Sequence, residues 1–395
     1  MKKWLLASAA TTLLAAGAAH AQEAKIGVIL GFTGPIESLT PAMGDSAELA
    51  LSEVNDAGTF LEGVTLTPVR ADSTCIDSAA ATAAAERLIT TDGVLAIMGA
   101  DCSGVTGAIL SNAAVPNGVP MISPSATSPA LSNADDNGLF FRTAPSDARQ
   151  GEVLASILGE RDISSVAVTY TNNDYGKGFA DSFAAAFEET GGEITLSAPH
   201  EDGKGDYSAE IGALASAGGD VLVVLGYSDQ GGKGMIQAAL DTGAFDTFAM
   251  GDGMYSDALL EDLGSALEGS FGSVPWAQGE GTEAFTKIAT DAGINAEGSY
   301  TRESYDAAAL IALAMMKGGE ASSAAVAANV MDVANAPGEE ILPGELGKAM
   351  EILADGGDID YVGATNVELV GEGEAAGTYR YYEIEDGEFT TVSFK

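Results

Sequence analysis

The stretch that decides the fold is residues 94–127, VLAIMGADCSGVTGAILSNAAVPNGVPMISPSAT. Short apolar runs at 94–98 and 120–122 predict two strands, and the alanine-rich segment 103–115 between them predicts a helix. Two strands that flank a helix in this way form a parallel βαβ unit. Because parallel strands are covered on both faces, the stretch predicts an α/β fold around a buried parallel sheet.

The same alternation continues on both sides of this stretch and then starts again. Strands are predicted at 25–30 and 65–71, and helices at 45–54 and 77–90. After an extended segment at 140–145, further strands are predicted at 166–170, 194–198, 221–225 and 248–250, with helices at 148–161, 175–190, 208–216 and 231–242. The chain is therefore predicted to form two doubly wound, Rossmann-like lobes.

The last third of the chain lacks the strands that a third α/β domain needs. Residues 281–356 have mostly helical patterns and are expected to return to the first lobe. Apolar segments at 379–384 and 389–394 flank EDG at 385–387 and predict a hairpin on the second lobe. The predicted division is 22–143 plus 275–360 for one lobe and 144–274 plus 361–395 for the other. Three crossings then join the lobes, which makes a hinge and a cleft.

The first residues have the pattern of a removable export signal. Lys2 and Lys3 precede an apolar run at 4–18, and AHA at 19–21 predicts cleavage between Ala21 and Gln22. The run is shorter than the roughly 20 apolar residues of a membrane-spanning helix. No later segment is long or apolar enough to insert into a membrane, so we predict an exported, soluble protein.

The charge of the chain excludes nucleic acid as a partner. Its 17 Lys and Arg stand against 58 Asp and Glu, a net charge of −41. Without residues 1–21, which hold two lysines and no acid, the charge is 15 − 58 = −43. Such a field repels phosphate backbones and anionic lipids. Most of these carboxylates are expected to form a solvated surface.

Histidine and cysteine counts narrow the chemistry further. His200 is the only histidine after residue 21, so sites with two histidine ligands and most histidine-dependent nucleophiles are excluded. His200 itself is predicted at the surface. We expect no enzyme activity, no cofactor and no metal. Cys75 and Cys102 are an even pair in an exported chain, which favours one disulfide.

The candidate binding residues follow the predicted strands, because ligands of doubly wound sheets lie beyond the carboxyl ends of the strands. The candidates of the first lobe are a hydroxyl-rich set, Ser103, Ser125, Ala126 and Thr127. Those of the second lobe are two tyrosines and an acid, Tyr175, Tyr227 and Asp252. Hydroxyls and helix N–H groups can hold a carboxylate, and an acid can hold an ammonium. Helix capping, a turn aspartate and packing aromatics are the structural alternatives.

The chain resembles the periplasmic binding proteins of branched-chain amino acid transport, which have the type I periplasmic binding protein fold. The resemblance lies in short motifs spread over nearly the whole chain after residue 21. They are KIGV at 25–28, TGP at 33–35, EVNDAG at 53–58, SPSATSP at 123–129, DYG at 174–176 and YVGAT at 361–365. Cys75 and Cys102 also match the disulfide of the family's first lobe.

The resemblance implies a periplasmic receptor that passes a small amino acid to the permease of an ABC importer. Ser103, Ser125 and Thr127 then match positions that bind the amino acid, and Tyr175, Tyr227 and Asp252 match positions that close over it. The segment 36–43 is expected to be a longer loop than leucine-type members have. An amide, urea or aromatic acid as ligand, a ligand-sensing module and a secreted hydrolase remain alternatives. The protein is expected to be a monomer.

Overall fold

The computed structural model describes residues 22–395, so the export signal predicted for residues 1–21 lies outside the described residues. Alternating apolar strands and amphipathic helices build two separate sheets, as the sequence predicts. None of the helices between residues 22 and 395 combines the length and the apolar character that a bilayer crossing requires.

The first sheet contains five parallel strands. They are β1 (Glu23–Leu30), β2 (Thr65–Asp72), β3 (Ala96–Gly99), β4 (Met121–Ser123) and β5 (Phe140–Arg142), and their spatial order is β2-β1-β3-β4-β5. The helices between them are α1 (Thr40–Ala57), α2 (Ser78–Arg87), α3 (Ser103–Ile109) and the short α4 (Val115–Asn117). Strand β5 lies in the segment predicted to be an extended crossing.

The second sheet is larger and mixed. Its strands are β6 (Ser165–Thr171), β7 (Glu193–His200), β8 (Val221–Leu225), β9 (Phe248–Met250), β10 (Phe271–Pro275), β15 (Tyr379–Glu385) and β16 (Glu388–Phe394). Their order is β16-β15-β10-β9-β8-β6-β7. The helices are α5 (Asp147–Glu160), α6 (Asp174–Glu189), α7 (Ser208–Ala217), α8 (Gly231–Thr242) and α9 (Asp257–Leu263). The antiparallel pair β15–β16 confirms the predicted hairpin, whereas β10 is missing from the prediction.

The helical last third packs on the first sheet. Its helices are α10 (Glu280–Asp291), α11 (Thr301–Gly318), α12 (Ser323–Ala334) and α13 (Leu346–Ala354). Helix α11 is buried on all sides, packs on α1 and α12, and shares one apolar core with β1 and β3. Two small sheets complete this region, from β11 (Glu339–Ile341) with β12 (Ile359–Tyr361) and from β13 (Leu369–Val370) with β14 (Glu374–Ala375).

The segment that follows residue 361 packs on the first sheet, whereas the sequence analysis assigns it to the second lobe. Tyr361, Val367 and Leu369 lie in the apolar core of the first sheet, and the N–H of Arg142 on β5 donates to the carbonyl of Gly373. The chain from residue 361 to β14 therefore still covers the first sheet. We propose residues 376–378 as the third crossing.

Trp276 marks the place where the crossings meet. Its main-chain N–H donates a 2.9 Å hydrogen bond to the carbonyl of Thr378, which joins the second crossing to the third. The guanidinium carbon of Arg302 on α11 lies 4.0 Å from the centroid of the indole, and that of Arg380 on β15 lies 4.8 Å away. The indole thus contacts a cation from each half of the molecule.

Two motifs that carry the resemblance have structural roles. The buried carboxylate of Asp306 on α11 accepts hydrogen bonds from the Tyr361 hydroxyl and from the N–H groups of Ala364 and Thr365, at 2.8–2.9 Å. The carboxylate of Glu53 on α1 accepts from the N–H of Leu346, the first residue of α13, at 2.7 Å. YVGAT and EVNDAG therefore fasten the last third of the chain to the first sheet.

Three local predictions can be compared directly with the structure. The disulfide between Cys75 and Cys102 is confirmed. Residues 40–43 of the segment predicted as a loop are helical, because α1 begins at Thr40 with a proline in its first turn. The surface position of His200 is wrong: β7 extends to this residue, its side chain is buried, and burial lowers the pKa of the imidazole to about 4.

Candidate ligand-binding cleft

A cavity lies between the two sheets at the carboxyl ends of their strands. Its empty space, counted together with the part that is open to solvent, is about 350 Å³. Five of the predicted residues line it, namely Ser103, Ser125, Tyr175, Tyr227 and Asp252. The rest of the wall consists of Ile36, Leu39, Met43, Tyr300, Asp101, Cys102 and Gly253. The structure therefore brings residues from both halves of the molecule to one site.

The first half contributes hydroxyl groups and main-chain N–H groups. Ser103 is the first residue of α3, and its hydroxyl accepts a 3.0 Å hydrogen bond from the N–H of Ser128. The hydroxyl of Ser125 donates to the carbonyl of Asp101 at 3.2 Å. The first N–H groups of a helix have no partner within it. This wall is therefore suited to an anionic group and carries no formal positive charge.

Asp101 lines the cavity, but hydrogen bonds from neighbouring loops occupy its carboxylate. It accepts hydrogen bonds from the N–H of Gly31 at 2.5 Å, from the Ser73 hydroxyl at 3.0 Å and from the N–H of Cys102 at 2.9 Å. These donors follow three different strands, so Asp101 fastens their ends together. Burial raises the pKa of this carboxyl, and the three hydrogen bonds partly oppose that shift.

Ala126 and Thr127 lie behind the cavity wall. Both are fully buried, and the N–H of Ala126 donates to the Ser123 hydroxyl at 2.9 Å. The Thr127 hydroxyl faces the carboxyl of Asp147 and lowers the pKa of that acid. These two predicted residues are therefore separated from the other five, although the loop that carries them is part of the site.

Arg142 holds this loop in place and was not identified from the sequence. Its side chain is fully buried and forms an ion pair with Glu374 at 2.5 Å. One terminal nitrogen donates to the carbonyls of Ala126 and Ser128, at 2.9 and 3.0 Å. With its carbonyls fixed from behind, the loop turns Ser125 towards the cavity. We assign Arg142 a positioning role.

The second half contributes an acid held by two tyrosines. The Tyr175 hydroxyl donates to Oδ1 of Asp252 at 3.0 Å, and the Tyr300 hydroxyl donates to Oδ2. Tyr175 stacks on Tyr227 with their ring centroids 5.2 Å apart. Asp252 is about 2% exposed. Burial raises the pKa of this carboxyl, whereas the hydrogen bonds from Tyr300 and Tyr175 lower it.

A second buried acid, Asp147, is affected by the charge of Asp252. Asp147, the first residue of α5, is fully buried. Burial and the charge of Asp252 raise its pKa well above the ordinary range, whereas the Thr127 hydroxyl and the charge of Arg142 lower it. No lysine, arginine or histidine lines the cavity within residues 22–395. The site therefore combines negative charge on one side with neutral donors on the other, around an apolar patch.

The sequence did not reveal Tyr300, which lines the cavity, or the buried acid Asp147 behind it. Tyr300 precedes α11 in a left-handed conformation, with φ of 61°, and comes from the last third of the chain, which carries no strand-end signal. Asp147 follows Ser146 at the start of a helix, where an acid is ordinary. A search for acids immediately after a predicted crossing could have found Asp147.

Direct contacts join the two halves around the cavity. The N–H and hydroxyl of Ser38 each lie 2.8 Å from a carboxylate oxygen of Asp229, whose own N–H donates to the carbonyl of Pro35 at 3.0 Å. On the other side, the Ser128 hydroxyl donates to the carbonyl of Asp174 at 3.0 Å. The structure therefore has the two lobes closed over the site.

Comparisons with known proteins agree with this architecture. The family model for periplasmic binding proteins matches residues 23–346. Leu/Ile/Val-binding protein homolog 1 of Brucella melitensis is 31% identical over 326 residues, which cover 81% of this chain and 85% of that protein. The chemotactic signal transduction system substrate-binding protein BasB of Halobacterium salinarum is 28% identical over 380 residues, which cover 94% and 89%.

Solved structures with low sequence identity share the fold. The leucine binding protein LivK of Thermotoga maritima has a TM-score of 0.77 at 22% identity and covers 94% of this chain and 98% of its own. A solute binding protein of R. palustris in complex with 4-hydroxybenzoate has a TM-score of 0.74 at 18% identity, with coverage of 95% and 97%. One architecture thus holds ligands of different chemistry.

Proposed function

This chain belongs to the periplasmic binding protein family, and we propose that it is the receptor of an ABC importer that captures an aliphatic amino acid by lobe closure. The observation that carries the proposal is the placement of Asp252, a buried acid in a cavity whose wall has no basic residue. A buried carboxylate without a cation is costly. The ammonium group of an amino acid would supply that cation.

The other walls fit the rest of an amino acid. The N-terminal end of α3 and the hydroxyls of Ser103 and Ser125 would hold the carboxylate without a basic residue. Ile36, Leu39 and Met43 form an apolar patch that would cover an aliphatic side chain. A ligand that bridges both lobes favours the closed state by its extra contacts there, and the permease would recognise that state.

The sequence analysis left aromatic acids, amides and urea as alternative ligands. This site favours them less than an amino acid. An aromatic acid would place a second negative charge near Asp252, and an amide or urea would leave that acid without a cation. A secreted hydrolase would need a base beside a nucleophile, and His200, the only histidine among the described residues, is buried away from the cavity wall.

A protein that serves an importer and one that serves a sensor would bind the ligand in the same cleft. The chemotactic function in the name of BasB makes ligand sensing the second candidate function. Uptake of labelled amino acid by cells that lack this protein tests the first function. Loss of uptake with unchanged taxis supports the importer, and loss of taxis with unchanged uptake supports the sensor. We also propose that the protein acts in the periplasm after cleavage between Ala21 and Gln22, which sequencing of the mature N-terminus tests.

Ligand identity is tested by a thermal-shift and calorimetric screen with L-leucine and two analogues that each lack one charge. The analogues are 4-methylpentanoate, which lacks the ammonium, and isopentylamine, which lacks the carboxylate; 4-hydroxybenzoate and urea test the alternatives. Saturating ligand at a hundredfold excess over Kd stabilises a protein by about 2.7 kcal/mol. We expect stabilisation by leucine and none by the analogues. Equal stabilisation by 4-methylpentanoate would contradict the proposal.

A pair of variants then tests the acid. Asp252→Asn keeps the shape of the side chain and removes its charge, and we expect it to abolish the leucine shift while circular dichroism stays unchanged. The matched control is Asp246→Asn, which removes an exposed carboxylate of the same lobe and should leave the shift intact. Retained leucine binding by Asp252→Asn would remove Asp252 from the site.

A further inference from the structure

Both lobes carry a large net charge of the same sign. The first lobe, residues 22–143 and 276–378, has 8 Lys and Arg against 32 Asp and Glu, which gives 8 − 32 = −24. The second lobe, residues 144–275 and 379–395, has 7 against 26, which gives 7 − 26 = −19. Closure of the cleft therefore brings two strongly negative bodies together, and their like charges oppose that movement.

No ion pair within residues 22–395 offsets this repulsion across the cleft. Each ion pair of the structure joins two residues of the same lobe. Arg142 and Glu374 both belong to the first lobe, for example, and Arg161 and Glu383 both belong to the second. The basic residues thus neutralise charge inside each lobe and form no ionic attraction between the lobes.

The contacts that join the lobes leave the charge of their acids in place. Ser38 of the first lobe contacts Asp229 of the second through its N–H and its hydroxyl, both at 2.8 Å. The side-chain amide of Asn295 in the first lobe donates to the carboxylate of Asp257 in the second at 3.0 Å. Both donors are neutral, so each hydrogen bond forms without neutralising its carboxylate.

Acids of both lobes also line one groove where the lobes meet. One comes from the first lobe and three come from the second, namely Glu297, Asp257, Glu261 and Glu388. Arg380 lines the same groove, and its terminal nitrogens donate to neutral oxygen atoms at 2.7 and 2.8 Å. Arg302 pairs with Glu297 at 2.9 Å inside the first lobe. Acids therefore outnumber bases where the two lobes approach each other.

We propose that ionic strength controls closure, because dissolved salt screens the repulsion between the lobes and thereby raises the affinity for the ligand. The inference rests on the proposed function, since it concerns closure over the same ligand. The screening length falls from about 30 Å at 0.01 M salt to about 3 Å at 1 M, so the charges of one lobe then cease to act on the other. The short hydrogen bonds between the lobes remain.

The ligand itself should add little to this salt dependence. An amino acid has no net charge near neutral pH, so the field of the protein neither attracts nor repels it as a whole. Its ammonium would lie beside Asp252 in the closed cleft, where salt screens charges least. Salt should therefore act on the fraction of the protein that can close, and the apparent Kd falls as that fraction rises.

Calorimetry of the mature protein with L-leucine at pH 7.5, from 0.05 to 1 M NaCl, tests this inference. We expect the Kd to tighten about fivefold over this range, with the same curve in KCl and in choline chloride, because screening depends on ionic strength alone. A Kd that stays constant or weakens would overturn the inference and leave leucine binding intact. An effect of one salt alone would indicate a specific ion site and would also contradict it. An absence of binding in every salt would overturn the proposed function as well.

Two double variants separate repulsion between the lobes from the total charge. Glu261→Gln with Glu388→Gln removes two exposed acids of the groove. Glu188→Gln with Glu189→Gln removes the same charge from exposed positions at the end of α6, about 20 Å along the helix from its first residue, Asp174, whose carbonyl contacts the first lobe.

The two variants should differ most at low salt. At 0.1 M NaCl we expect the groove variant to bind leucine about twofold tighter than the natural protein and to show a weaker dependence of the Kd on salt. The variant at the end of α6 should match the natural protein in both respects. Circular dichroism checks that both variants are folded. Equal behaviour of the two would assign the salt effect to total charge and contradict the inference.

Discussion

The N–H of Ser38 lies 2.8 Å from Oδ2 of Asp229, and the hydroxyl of Ser38 lies 2.8 Å from Oδ1 of the same carboxylate. Ser38 follows the first strand of one sheet, and Asp229 follows β8 of the other. Ile36 and Leu39, which flank Ser38, line the cavity. This contact therefore holds the apolar wall of the site against the opposite lobe.

Removal of the Asp229 carboxylate should weaken ligand binding without changing the site itself. Asp229→Ala loses two hydrogen bonds that form only when the lobes are closed, which are worth about 1 kcal/mol together because they are exposed. We expect a Kd for L-leucine about fivefold weaker, mainly through faster dissociation in stopped-flow measurements. Asp241→Ala, on an exposed turn of α8, is the control. An unchanged dissociation rate would show that the contact does not stabilise closure.

Tyr300 should matter for the charge of Asp252 more than for the shape of the cavity. Tyr300→Phe removes a hydroxyl that donates to Oδ2, so the pKa of Asp252 should rise further and ionisation should become less favourable. We expect leucine affinity to fall about tenfold at acid pH and by less as the pH is raised, because a higher pH ionises Asp252 in the variant as well. Tyr170→Phe, a half-buried phenol on β6, is the matched control. A pH-independent loss would indicate a packing defect instead.

Glu303 should make the free energy of unfolding depend on pH. Its side chain lines a cavity beside the crossings, and burial raises the pKa of its carboxyl to about 7. Because the folded protein favours the protonated form, the stabilisation is complete below the unfolded pKa and is lost as the pH rises through about 7.

Glu303→Gln mimics the protonated acid and isolates this effect. We expect it to stabilise the protein at pH 8 by up to about 3 kcal/mol in urea unfolding and to have little effect at pH 4. Asp306, whose pKa burial raises to about 6, will leave a smaller pH dependence in the variant. Glu188→Gln, at an exposed position of α6, should change neither value. Destabilisation of Glu303→Gln at pH 8 would refute the assignment.

The disulfide should contribute to stability through the unfolded chain. It closes a loop of 27 residues between Cys75 and Cys102, so the double variant Cys75→Ser, Cys102→Ser should lose about 3 kcal/mol in chemical unfolding. The natural protein should show a similar loss in the presence of a reductant, whereas the double variant should not respond to it. A response of the double variant to the reductant would point to a different cause.

Much of the fold could be predicted from the sequence because its strands are short, apolar and separated by periodic helices. Strand β8 occupies the predicted residues 221–225, and β9 the predicted 248–250. Predictions failed where a strand is not a continuous apolar run. Strand β10 contains a glycine, a serine and a proline, and it is a strand because β9 and β15 pair with it on both sides.

The candidate site was predictable only as far as residues follow strands. That rule placed Tyr175 and Asp252 correctly on the cavity wall, but it also included Thr127, which lies one layer behind. Tyr300 reaches the site through the packing of α11 against the first sheet, which periodicity does not encode. His200 was misplaced because its burial depends on a partner, the Thr169 hydroxyl 2.8 Å from Nδ1.

Trp276 has an optical consequence. The sequence holds one other tryptophan, Trp4, which is lost if cleavage occurs after Ala21. All indole emission of the mature chain would then come from the residue that contacts Arg302 and Arg380 across the crossings. A rotation of the lobes that moves either guanidinium changes the surroundings of this one fluorophore. The intrinsic fluorescence of the protein would thus report lobe closure in real time and without an attached dye.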